Sequence, residues 1–177
     1  MAADEKELLE KARAIELLVL DVDGVLTTGD ILVGDDGREW KQFYVRDGAA
    51  LAYWHRMGKK SAILSGRISE AVYHRAAELG VHEVVQGRLD KGRAVEELAT
   101  RMGVPLERVC FIGDDLADLS ALARVGLAAA VADAVAEVKS KADYVTELPG
   151  GKGAVRELVE FLLRTQGVWE QVLEIYD

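Results

Sequence analysis

Short apolar runs recur along this chain, and polar stretches with helical spacing separate them. The runs are 15–20 (IELLVL), 60–64 (KSAIL), 81–85 (VHEVV), 108–112 (RVCFI) and 126–131 (GLAAAV). They are continuously apolar rather than alternating, which predicts strands buried on both faces. Between them, Leu51, Trp54 and Met57 share one face of 49–57, and Val72, Ala76 and Leu79 one face of 69–79. Val95, Leu98, Ala99 and Met102 do the same over 92–102. Gly58, Gly80 and Gly103 follow these segments, where a left-handed residue ends a helix. The alternation predicts an α/β fold, a three-layer, doubly wound parallel sheet covered by helices, in a single domain over 1–177. One segment breaks the rhythm. ILVGDDGREWKQFYV at 31–45 has a turn-forming centre between β-rich flanks, which predicts an inserted hairpin. The glycine-rich LPGGKGA at 148–154 precedes a helical tail running from 154 towards the C-terminus.

Composition narrows the partners. A formal net charge of -9 over 177 residues argues against nucleic acid or an anionic membrane as a general partner. An anionic substrate must then meet a local positive cluster or a bound cation. The single cysteine, Cys110, lies in an apolar run and reads as a core residue. No apolar stretch approaches the roughly 20 residues of a membrane span, and MAADEKELLEKARA reads as a charged helix rather than a signal peptide. These features predict a cytoplasmic protein.

In an open parallel sheet, ligands gather outside the carboxyl ends of the strands. Asp21-Val22-Asp23-Gly24 follows the first run, Ser65-Gly66-Arg67 the second, and Gly113-Asp114-Asp115 the fourth, while Asp90-Lys91 comes shortly after the third. Asp21 and Asp23 are two apart, so in an extended segment they project the same way, roughly 6–7 Å apart at Cα. With Asp114 and Asp115 they would crowd carboxylates that need a divalent cation, and Mg²⁺ suits a shell completed by phosphate. Asp115 also reads as a helix cap with Asp118 at the third helical position. If Asp90 caps a helix, Lys91 sits in its first turn, where the helix dipole disfavours a cation unless an anion binds there. An exposed, tolerated lysine is the plain alternative. Assembled, these residues predict covalent phosphoryl transfer. Asp21 is the nucleophile, Asp23 the general acid and base, and Ser65, Gly66 and Lys91 the phosphate donors.

DVDGVLT (21–27), SGR (65–67), Lys91 and GDDLAD (113–118) in this order resemble the four motifs of the haloacid dehalogenase superfamily of phosphohydrolases. The resemblance implies Asp21, the Asp23 carbonyl and Asp114 as Mg²⁺ ligands, supported by Asp115 and Asp118. VRDG (45–48), GVHEVVQGRLDK (80–91), VGLAAAVADA (125–134), ADYVT (142–146) and GGKGAVRE (150–157) resemble more narrowly the capless phosphatases of keto-deoxy sugar acid phosphates. That subfamily includes those acting on 3-deoxy-D-manno-octulosonate 8-phosphate. It implies a homotetramer whose hairpins pack together, with a neighbour's surface and tail completing each site. Arg67 after Ser-Gly resembles the enzymes of the eight-carbon sugar more than their nine-carbon relatives. Arg46, Asp47 and Arg75 are further candidates for holding the substrate. Thr28, Ala49-Ala50 and Ser65 depart from the usual subfamily residues. His55, His74 and His82 have no metal-ligand spacing, and Trp40, Trp54 and Trp169 read as core or subunit contacts.

Overall fold

The computed structural model describes residues 3–176. Met1, Ala2 and Asp177, which belong to the expected N-terminal helix and C-terminal tail, lie outside them. In chain order the elements are α1 (Ala3–Ala14), β1 (Leu17–Leu20), β2 (Leu32–Val33), β3 (Glu39–Trp40), α2 (Val45–Arg56) and β4 (Lys60–Leu64). Then come α3 (Glu70–Leu79), β5 (Glu83–Val85), α4 (Lys91–Met102), β6 (Val109–Gly113) and α5 (Leu119–Leu122). The chain ends with β7 (Leu127–Ala130), α6 (Ala136–Lys139), β8 (Tyr144–Val145), α7 (Ala154–Thr165) and α8 (Trp169–Leu173).

Six strands form one parallel sheet in the order β5-β4-β1-β6-β7-β8. The continuously apolar runs are its strands, and β1, β6 and β7 are buried along their whole length. Helices α1, α2 and α7 pack together on one face, and α4 packs with α5 on the other. From β1 the chain moves outward to β4 and β5, then returns across the sheet to β6 beside β1. This reversal opens a crevice at the carboxyl end of β1, where neighbouring connections leave in opposite directions. The loops after β1, β4 and β6 all meet there.

Several elements differ from the sequence expectation. The hairpin pairs only Leu32 with Trp40 and Val33 with Glu39, and α2 starts at Val45, so VRDG is its first turn. Gly48 lies inside that helix where α3 comes close, and an added Cβ would meet the ends of the Arg75 and Leu79 side chains. The tail is two helices, broken at Gly167, which has a φ of 72°. Strand β8 was not apparent from hydrophobicity because it is a two-residue edge strand. Trp54 and Trp169 are buried as core residues should be, whereas Trp40 is 64% exposed on the hairpin. Cys110 is buried in β6. The rings of His55 and His82 pack edge-to-face at 4.9 Å, with the His55 Nε2 2.7 Å from the Ser61 hydroxyl. Among the described residues, no helix is long and apolar enough to cross a membrane.

Candidate active site

The ladder of β1 continues one residue past the strand, where the Asp21 N–H donates to the Ile112 carbonyl at 3.1 Å. The next residues fold back on themselves. The N–H groups of Val25, Leu26 and Thr27 all donate to the Val22 carbonyl at 2.9–3.2 Å. This tight loop needs Gly24, whose φ is 89° and whose added Cβ would overlap the Asp114 carboxylate. The loop after β1 therefore touches the loop after β6 without a spacer.

Lys91 opens α4, with Asp90 capping it by accepting from the Arg93 N–H. The lysine is 3% exposed, so the plain alternative of a surface charge does not hold. Its Nζ lies 2.9 Å from an Asp21 oxygen and 2.6 Å from an Asp118 oxygen. Burial alone would lower its pKa, but Asp21 and Asp118 outweigh that and hold it above the usual lysine value. Asp118 is fully buried, and its second oxygen accepts from the N–H groups of Asp114 and Asp115 at 2.9 and 3.2 Å. Asp115 and Asp118 form a capping box at the turn after β6. Asp118 thus ties the Asp114 loop to Lys91.

Oxygens of Asp21, Asp114 and Asp118 come within 4.8 Å of one another. One ammonium does not neutralise three carboxylates, and the acidities record the shortfall. Burial first, and then the Asp118 charge, push Asp21 up to about 6. Burial, Asp21 and Asp118 push Asp114 up to about 8. Asp114 Oδ1 is buried with no hydrogen-bond partner among the described residues. A partnerless, buried carboxylate oxygen beside two other carboxylates fits a divalent cation with hard oxygen ligands.

Asp21, Asp23, Ser65, Gly66, Arg67, Lys91, Asp114, Asp115 and Asp118 all line one cleft of about 360 Å³. Ser65 is buried, and its hydroxyl accepts from the Arg67 N–H at 3.2 Å. Arg67 sits 3.6 Å from an Asp23 oxygen and forms two 2.8 Å contacts with Glu39.

Arg46, Asp47 and Arg75 do not line this cleft. Arg46 is exposed on α2 beside Tyr53 and Arg156. Arg75 lies against Gly48 and pairs with Glu78 at 2.8 Å. Asp47 is buried and accepts from the N–H groups of Gly153 and Arg156 at 3.2 and 2.8 Å, which satisfies the first turn of α7. In this chain its carboxylate is spent on the fold.

Sequence reasoning missed Lys41 and Glu39. Lys41 pairs directly with Asp23, and its side chain is 5% exposed. Their spacing held the signal: Glu39 lies in β3 and Lys41 directly follows it, and residues two apart in an extended segment project the same way.

A nucleophile-competent carboxylate, a buried lysine and an acidic cluster at the switch point of a parallel sheet define a phosphohydrolase site. Residues 62–158 match the haloacid dehalogenase-like hydrolases, and the chain belongs to this family. Within it, the chain is 42% identical over 161 residues to the 3-deoxy-D-manno-octulosonate 8-phosphate phosphatase KdsC of Escherichia coli K12, covering 91% of this chain and 86% of that protein. The crystal structure of the same phosphatase from Moraxella catarrhalis, in complex with a magnesium ion, a phosphate ion and 3-deoxy-D-manno-octulosonate (KDO), superposes with a TM-score of 0.95. Its identity is 37%, over 97% of this chain and 99% of that one. The cobalt-bound form from Haemophilus influenzae gives a TM-score of 0.86 at 40% identity, over 89% of this chain and 92% of that one.

Proposed function

We propose that this chain is a Mg²⁺-dependent phosphatase that hydrolyses 3-deoxy-D-manno-octulosonate 8-phosphate to the free sugar acid and inorganic phosphate. The observation that carries the reading is the buried Lys91 held between Asp21 and Asp118, beside an Asp114 oxygen with no hydrogen-bond partner among the described residues. The similarity to a protein solved with magnesium, phosphate and KDO supports the substrate and the metal.

A carboxylate oxygen of Asp21 attacks phosphorus while the bond from phosphorus to the sugar oxygen breaks. Asp23 gives a proton to that departing oxygen. It then takes one from a water molecule, which attacks the aspartyl-phosphate and returns Asp21 to a carboxylate. Ser65 and Gly66 donate to the phosphoryl oxygens, and the Lys91 ammonium balances their charge. Asp21, the Asp23 carbonyl and Asp114 would hold Mg²⁺, which supplies further positive charge to the phosphoryl oxygens. Asp115 and Asp118 orient these groups. Arg67, which lines the cleft, would meet the substrate carboxylate in this reading.

The working unit in this reading is a homotetramer without a cap domain. The hairpin supports it: Ile31, Leu32, Val33 and Trp40 are more than half exposed there, an apolar surface suited to a neighbouring copy. Arg46, exposed and outside the cleft of one chain, is then available to a neighbour's site. A cytoplasmic location belongs to the same reading.

The deciding measurement is kcat/KM over a panel of sugar and sugar-acid phosphates with Mg²⁺. The eight-carbon keto-acid phosphate is expected to exceed glucose 6-phosphate and the nine-carbon homologue by at least about 10-fold, the scale of about 1.4 kcal/mol. Equal turnover across the panel would reject the narrow assignment. Phosphate release that persists in EDTA would reject the metal.

A further inference from the structure

The hairpin after β1 has an apolar outer surface, and its inner side reaches the site. Glu39 in β3 and Lys41 just after it both bear on the Asp23 carboxylate, Lys41 by a direct ion pair and Glu39 through Arg67. Lys41 pairs with Asp23 Oδ1, and Arg67 lies 3.6 Å from Oδ2. Glu39 anchors Arg67 through both carboxylate oxygens at 2.8 Å. Asp23 is therefore gripped on both oxygens by cations that the hairpin places or holds. The two cations differ in accessibility. Arg67 is 43% exposed and lines the cleft, whereas Lys41 is 5% exposed and does not. Lys41 thus reaches Asp23 without lining the cleft.

We propose that Lys41 is a positioning residue that acts through Asp23, orienting its carboxyl group for proton transfer to the departing sugar oxygen. The proposal rests on the phosphatase reading above. A carboxylate in a loop has free rotation about two side-chain bonds, and an alkoxide leaving group needs its proton from a donor within hydrogen-bond reach. A buried ammonium paired with one of its oxygens removes much of that freedom. A short alkyl-phosphate reaction depends on this alignment, whereas an aryl phosphate, whose phenolate leaves unaided, depends on it little. The hairpin thereby has two faces with two tasks, an outer apolar one and an inner charged one that sets the general acid.

The test compares Lys41→Met, Lys41→Gln and Lys41→Arg with wild type on the sugar-acid phosphate and on p-nitrophenyl phosphate, in the full chain with Mg²⁺. For Lys41→Met and Lys41→Gln, kcat on the sugar-acid phosphate is expected to fall about 10- to 100-fold, with KM within about threefold. On p-nitrophenyl phosphate the loss should stay below about threefold, and Lys41→Arg should recover part of the lost kcat. In an Asp23→Asn background, Lys41→Met should add no further loss, since the residue it orients no longer transfers a proton. Equal losses on the two substrates, a change confined to KM, or full additivity with Asp23→Asn would each overturn the proposal. If Lys41→Met does not fold, Lys41→Gln and Lys41→Arg carry the same comparison. A wild-type protein that hydrolyses neither phosphate would instead overturn the phosphatase reading, and the Lys41 role with it.

Discussion

The Lys91 ammonium lies 2.6 Å from an Asp118 oxygen, and neither side chain is more than 4% exposed. Buried pairs of this kind are costly to break, because removing one partner leaves the other charged and out of water. Lys91→Met is expected to lower stability by about 3 kcal/mol and to reduce phosphate release by more than about 100-fold. Adding Asp118→Asn should recover much of the stability in urea melts without restoring activity. Recovery of both would make Lys91 a folding element alone.

Asp21→Asn keeps the shape of the side chain and removes the attacking oxygen. Mg²⁺-dependent phosphate release should fall to background, with the oligomeric state unchanged by sedimentation. Normal turnover in this variant would exclude the covalent route.

The carboxylate cluster predicts a pH dependence whose sign is set by the raised pKa values of Asp114, to about 8, and Asp21, to about 6. A carboxyl group that is harder to ionise when folded than when unfolded favours the folded state while protonated. Metal-free protein should therefore lose melting temperature as pH rises from about 5 to about 8. Asp114→Asn should flatten that slope. Mg²⁺ should raise the melting temperature more at pH 8 than at pH 6, since the cation binds the ionised groups. A metal-free melting temperature that climbs over this range would contradict the assignment of the cluster.

Asp47 gives a contrasting case, a buried carboxylate whose work is structural. It accepts two N–H groups at the start of α7 from the facing helix α2. Asp47→Ala should cost about 2 kcal/mol in urea unfolding, the scale of a lost cap plus unsatisfied buried donors. Asp47→Asn should cost less. A loss of substrate affinity without loss of stability would return Asp47 to the binding site.

The chain's pattern alone determined five of the six sheet strands, the alternation of helix and strand, and the fact that acidic and phosphate-binding groups follow successive strands. These features are local: a run of apolar residues buries itself on both faces of a sheet wherever it sits, and the residue after it must be at an edge. Lys91 was visible as an oddity, a cation at a helix start, and only packing showed that α4 delivers it between Asp21 and Asp118. Asp47 and Arg75 looked like ligand-binding residues because a charged side chain near a motif has no written partner. The partner of Asp47, the N–H groups at the start of α7, appears only when α2 and α7 pack, whereas Arg75 has Glu78 three residues on in its own helix. Lys41 went unnoticed for the converse reason. A lysine in a short polar hairpin reads as solvated until the hairpin folds over the β1 loop and buries it against Asp23. Sequence set which groups were available for the chemistry, and the long-range contacts of the tertiary structure decided which charges meet.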